Sequence, residues 1–286
     1  MADTVSISDS ALRAEISAAG AELVRLQDRD GADLLWDGDP AFWTGRSPLL
    51  FPIVGEVKGN RLNVAGMAYE IGRHGFARTS TFTLVSSEPS RCTWRLEASE
   101  ATRKQYPFDF CLDVTYAVRA GTLEMSAEVT NPGVVTMPAS FGFHPALRWP
   151  LPYGKRRAAH EIVFDRDEPA PIRRPVDGLL SSATYPTPVR DRRLVLHDDL
   201  FKDGALVFDT LKSRGVVYGE RLRVDFPDMP HLGIWMLPGA GYVCIEPWQG
   251  HASPQGFDGE LADKPGIVTI AAGGSRRFAM SISVLP

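Results

Sequence analysis

The sequence predicts an all-β protein, a large antiparallel β-sandwich, and three observations carry that prediction. Apolar residues alternate with polar ones at period 2, helical periodicity is weak, and turn signals cut the apolar runs into short pieces. In chain order, RDGAD (29–33) is an early turn, and one short helix is expected over Ser99–Gln105, ending before Pro107, which cannot continue a helical ladder. Leu112, Val114, Tyr116 and Val118 then line one face of a strand. In the next, Leu123, Met125, Ala127 and Val129 alternate with Glu124, Ser126 and Glu128, and NPG (131–133) closes it. Leu151–Arg192 is mixed in character, containing RRPVDG and ATYPTPV, and is expected to lay extended loops and short strands over one face, where they can shape a cleft. KDG (202–204) is a further turn signal, and Leu222, Val224 and Phe226 line one face of another strand. AAGG (271–274) precedes a last strand lined by Phe278, Met280, Ile282 and Val284. Two large twisted sheets packed face to face bury this many half-apolar strands most simply, and the scarcity of helix argues against a parallel βαβ fold.

Composition sets further bounds. The chain has 286 residues with 44% hydrophobic and 23% charged, enough for one large core, and no polar linker divides it, so one domain over 1–286 is expected. No run approaches the ~18 apolar residues of a membrane span, and MADTVSISDSALRAEI lacks the basic and apolar segments of an export signal, so the expectation is a cytoplasmic protein with no membrane partner. Net charge is −4, and basic residues are scattered apart from GKRR (154–157). That disfavours nucleic acid as a partner while leaving a phosphorylated small molecule open. Cys92, Cys111 and Cys244 lie in strand-like runs without a CxxC, and read as small buried residues in reducing surroundings. Nothing chooses between monomer and homodimer.

Three polar residues stand in unusual company. His74 in GRHGFAR is flanked by Gly72 and Gly75, which permit a tight turn or close approach of a ligand, and His144 in FGFHPAL is held extended by Pro145. Glu246 in CIEPWQG follows an apolar strand. Burying its charge without a partner is costly, so it needs a donor or a raised pKa. A carboxylate with imidazoles can move protons, and aromatic neighbours offer a platform to the apolar face of a sugar. Each of the three also reads as a structural hydrogen-bonding group. Arg46 in FWTGRSPLL and Arg78 in HGFAR are candidate substrate-binding cations or structural ion pairs. Asp203 is a candidate hydroxyl ligand or a turn residue, and Lys202, Lys212 and Ser213 are further polar candidates. His160, His197, His231 and His251 lack a comparable local setting.

In order, GAEL (20–23), SPLLFPIVG (47–55), HGFAR (74–78), YPFDF (106–110), FGFHP (141–145) and CIEPWQG (244–250) resemble the aldose 1-epimerase or mutarotase family over essentially the full length, particularly its LacX-like branch. The resemblance implies the family's large antiparallel supersandwich, an open sugar cleft and acid/base chemistry with no cofactor or metal. It matches His144 to the acid that protonates the sugar ring oxygen, Glu246 to the base on the anomeric hydroxyl, and His74 to a second histidine near the ring oxygen. Arg46 and Asp203 match substrate-binding positions. The implied partner is a small sugar or sugar phosphate. This branch departs from the typical pattern tied to free galactose or glucose, so the substrate stays open. The competing classes are a carbohydrate-binding or sensor protein without turnover, a metal-dependent sugar isomerase using the same three residues, and a glycosidase, which ordinarily needs two carboxylates.

Overall fold

In the computed structural model, which describes residues 3–286, the alternating segments pair as antiparallel strands in two principal sheets. Nine strands form the larger sheet. Its centre is Cys111–Arg119, Thr122–Thr130 and Ser275–Val284, and their register aligns Leu123 with Val118 on one side and with Ile282 on the other. The predicted inward residues Leu112, Val114, Tyr116, Leu123, Met125, Ala127, Val129, Phe278, Met280 and Ile282 are all buried. Each large aliphatic or aromatic side chain so buried contributes about 1.5–3 kcal/mol. Val284, at the end of the last strand, is only partly buried.

The second sheet runs in the order Leu206–Phe208, His231–Trp235, Tyr242–Gln249, Phe141–Phe143, Leu49–Leu50, and Ala146–Arg148 also pairs with Tyr242–Gln249. Phe141 stacks on Phe278 with ring centroids 5.3 Å apart, and Phe164 meets Phe208 at 5.4 Å, so aromatic side chains join the two sheets. Tyr242–Gln249 is buried at all eight positions. A strand covered on both faces explains why an acid within it sits inside.

The helix expected near Ser99 is present as Glu100–Arg103, with Ser99 and Thr102 forming a reciprocal capping box. Leu151–Arg192 departs in part from expectation. Glu161–Phe164 is an integral strand of the nine-stranded sheet, because Ile162 and Phe164 bury against the core, while the hairpin Pro175–Val176/Leu179–Leu180 does reach over the second sheet. All three cysteines are free. Cys92 and Cys244 are buried as expected, and Cys111 is partly exposed because it opens its strand on the outward phase. Among the described residues, no helix is long and apolar enough to cross a membrane.

Candidate active site

The second sheet positions the candidate residues through register. Phe141–Phe143 pairs Gly142 with Trp248, and Ala146–Arg148 pairs Ala146 with Cys244. Both short strands share one register on Tyr242–Gln249, so His144, in the break between them, falls opposite Glu246. The break exists because Pro145 has no N–H for the ladder, while its carbonyl still accepts from Ile245 N–H at 3.3 Å. His144 Nε2 lies 3.0 Å from Glu246 Oε2, with both groups buried.

His74 arrives from the strand beyond. Leu49–Leu50 pairs with Phe141–Phe143, and the chain after it holds the HGFAR turn through Phe51 N–H to the His74 carbonyl (3.2 Å) and His74 N–H to the Gly55 carbonyl (2.8 Å). His74 adopts φ 66° and Gly75 φ 69°. A Cβ at residue 75 would collide with the Phe51 carbonyl, which is why HG, rather than any two polar residues, makes this turn. Gly55 N–H donates to His74 Nδ1 at 3.0 Å, so a neutral His74 carries its proton on Nε2 and presents a donor. Its ring stands perpendicular to His144, with centroids 5.9 Å apart.

These groups line a cleft of about 350 Å3, whose walls include Trp43, Trp235 and Trp248, with Arg73 and Arg78 beside His74. Trp43 and Trp235 each pack against His144, at 5.1 and 5.9 Å between centroids. The hairpin residues Pro175, Gly178 and Leu180 also line the cleft, together with Gly204, Ala205 and Val207. The volume and the mixture of aromatic surface with a few convergent polar groups suit a ligand of monosaccharide size.

Burial governs the electrostatics. It pushes the Glu246 carboxyl well above its ordinary range; the Trp248 indole N–H opposes this weakly, falling short of hydrogen-bond geometry. Burial pushes His144 down to about 3, and its Nδ1 has no hydrogen-bond partner among the described residues. A carboxyl that loses its proton late facing an imidazole that gains one late leaves the pair with a single proton, held along the 3.0 Å contact. His74 is lowered by burial and then by neighbouring His144, Arg78 and Arg73, which keeps it neutral.

Arg78 lines the cleft, and its Nε is buried with no partner; Arg73, also lining it, is ion-paired with Glu56. Arg46 is not a lining residue. Its Nε donates to the Asp37 carbonyl at 2.8 Å, and its backbone N–H is held by Glu22 at 2.7 Å, which suits support of the FWTGR turn. Asp203 is exposed at the rim and does not line the cleft, although the next two residues do. Lys202 is exposed. Lys212 and Ser213 are tied through their backbone N–H groups to Glu168, away from the lining. Trp43, Arg73, Trp235 and His251 were not singled out by the sequence, yet all line the cleft. The signal available for Arg73 was its place beside His74.

His144, Cys244 and Glu246 bring one ligand atom each within 4.8 Å, a geometry able to hold a metal ion. The donor chemistry fits poorly: burial and the Glu246 charge push the Cys244 thiol well above its usual range, and the other two donors already share a proton.

A family model described as aldose 1-epimerase matches residues 3–260. The protein LacX of Lactococcus lactis subsp. lactis, in plasmid and chromosomal forms, is 29% identical over 300 residues, covering 99% of each chain. Among solved structures, a galactose mutarotase related enzyme from Lactobacillus acidophilus is 30% identical with a TM-score of 0.88, covering 99% of this chain and 98% of that one. A galactose mutarotase-like protein from Lactobacillus casei is 26% identical with a TM-score of 0.92, covering 99% and 100%.

Proposed function

Since the chain belongs to the aldose 1-epimerase family, we propose that it interconverts the α and β anomers of an aldose or a related sugar, with Glu246 as base, His144 as acid and His74 as a donor to the ring oxygen. The observation that carries this reading is the buried His144–Glu246 pair at 3.0 Å on the wall of a tryptophan-lined cleft.

In this scheme the sugar's C1 hydroxyl hydrogen-bonds the Glu246 carboxylate, which favours the ionised acid, and the ring oxygen accepts from His144 Nε2, which favours the protonated imidazole. Substrate thereby draws the shared proton onto His144. Glu246 takes the C1 hydroxyl proton, C1 becomes a carbonyl carbon, and the C1–O bond of the ring breaks. Its electron pair goes to the ring oxygen, which takes the His144 proton while His74 Nε2–H stabilises the developing charge. Rotation about C1–C2 offers the other carbonyl face, and the same transfers in reverse close the ring. Protons return to their owners, so the cycle balances without a redox partner or cofactor. A chelator such as EDTA should leave the rate unchanged; loss of activity with EDTA and recovery with a divalent ion would instead assign the His144–Cys244–Glu246 group to a metal.

Arg73 and Arg78 give one part of the cleft a surplus of hydrogen-bond donors, suited to sugar oxygens or a phosphate substituent. Three unpaired cysteines suit work in the cytoplasm. The test is an NMR screen of anomer exchange over free hexoses, pentoses and their phosphates. Catalysed exchange supports the reading, and saturable binding without exchange would make this a carbohydrate-binding protein instead.

A further inference from the structure

His251 closes the cleft wall just beyond the Glu246 strand, and the proton transfers above give it no task. It is buried and lines the cleft. Its Nδ1 lies 2.8 Å from the Ala252 carbonyl oxygen. A carbonyl only accepts, so Nδ1 carries the proton, and a neutral ring then has a bare lone pair on Nε2. Nε2 has no hydrogen-bond partner among the described residues, and it is not one of the sealed, unpartnered polar atoms of the interior.

The surroundings hold that state. Lys264 is 2% exposed, and its Nζ donates to the His251 carbonyl oxygen, fixing the backbone that carries the ring. His231 meets the His251 ring at 5.1 Å between centroids and accepts Gly250 N–H on Nδ1 at 3.1 Å. Burial and the Lys264 charge lower the His251 pKa, with the Asp209–Arg173 ion pair exerting opposed, smaller influences. The cleft wall therefore carries polar groups of opposite kinds. His74 Nε2–H, Arg73 and Arg78 donate, whereas His251 Nε2 only accepts.

We infer that His251 is a specificity-determining residue whose Nε2 accepts a hydrogen bond from a non-anomeric hydroxyl of the sugar. This rests on the epimerase reading for the substrate class. The chemistry selects a hydroxyl-bearing carbon at that corner. A deoxy carbon leaves Nε2 buried and unpaired, and a carboxylate or phosphate oxygen meets an acceptor, so any anionic substituent is directed to the Arg73 and Arg78 donors instead.

The experiment compares wild type, H251F and H251Q on D-glucose, D-galactose, their phosphates and each monodeoxy derivative, reading anomer-exchange kcat and KM, ligand affinity, and the 15N resonance of His251 Nε2. In wild type one deoxy position should cost about tenfold in kcat/KM, chiefly through KM. H251F should lose about tenfold on the parent sugar and no further activity on that deoxy sugar, and H251Q, which keeps an acceptor, should recover part of the loss. The Nε2 resonance should move on sugar saturation. A uniform loss across all sugars in both variants, or an Nε2 resonance indifferent to sugar, would overturn the inference while leaving the epimerase reading intact. A wild type that binds and turns over none of the panel would overturn that reading and the inference with it. Binding without turnover removes only the reaction, since the affinities and the 15N shift still decide the hydrogen bond.

Discussion

Glu246 and His144 are each in an environment hostile to the charge that the proposed reaction requires of them, and their proximity resolves the conflict. With His144 held down to about 3 and Glu246 held well above its ordinary range by burial, the pair keeps one proton between those two limits. As pH falls through about 3, His144 gains a proton while Glu246 still holds its own, so the base is lost. As pH rises through the elevated Glu246 value, the last proton leaves and the acid is lost. The acid limb of the kcat/KM profile should accordingly fall near pH 3; an acid limb near the ordinary histidine value of about 6.5 would show that His144 titrates alone. The sequence made Glu246 and His144 legible because each interrupts an apolar motif, and His74 because Gly72 and Gly75 flank it. It did not reveal the sharing of one proton, which depends on a 3.0 Å contact between residues a hundred positions apart in the chain. Arg46 misleads for a related reason: an arginine among aromatics looks like a ligand donor, but the Asp37 carbonyl engages it.

At the scale of elements, the site depends on how closely three strands lie. The Trp248 indole lies across Gly233 on one neighbouring strand and Gly142 on the other, where an added Cβ would meet Trp248 carbon atoms; at Gly142 the nearest is 2.6 Å away. Glycine inside a strand here marks a bulky neighbour that needs the space. Gly233 also pairs with Glu246. Gly233→Ala should cost about 1–3 kcal/mol in stability by overpacking and reduce anomer exchange by displacing Glu246. Denaturant melts with exchange rates check this; unchanged values for both would remove Trp248 as the constraint on the base. Strand alternation was readable because it is local. The shared register that sets His144 against Glu246 was not, since pairing partners are chosen by tertiary packing. Glu161–Phe164 was hidden likewise, inside a segment whose prolines and glycines read as surface loops.

Across the whole molecule, the chain buries a lysine, Lys264, behind the His251 wall of the cleft. Burial lowers Lys264 to about 7 from 10.5. Between these values the unfolded chain binds a proton that the folded protein declines, so this group's contribution to stability declines as pH falls from about 10.5 toward 7, by several kcal/mol in all. Lys264→Met should flatten that slope in melts taken across the range, and an unaltered slope would show that another group sets it. His251 was legible only as a histidine without a comparable local setting, because its contact with Lys264 forms only in the folded protein.

Proton transfer between Glu246, His144 and a sugar underlies the proposed anomer exchange. Its most direct measurement is two-dimensional exchange NMR of α and β anomers, comparing wild type with Glu246→Gln and His144→Asn, each verified as folded by its melt. Wild type should accelerate exchange of at least one sugar, and each variant should lose about 10²- to 10⁴-fold in kcat. Near-normal turnover in either folded variant would contradict the account.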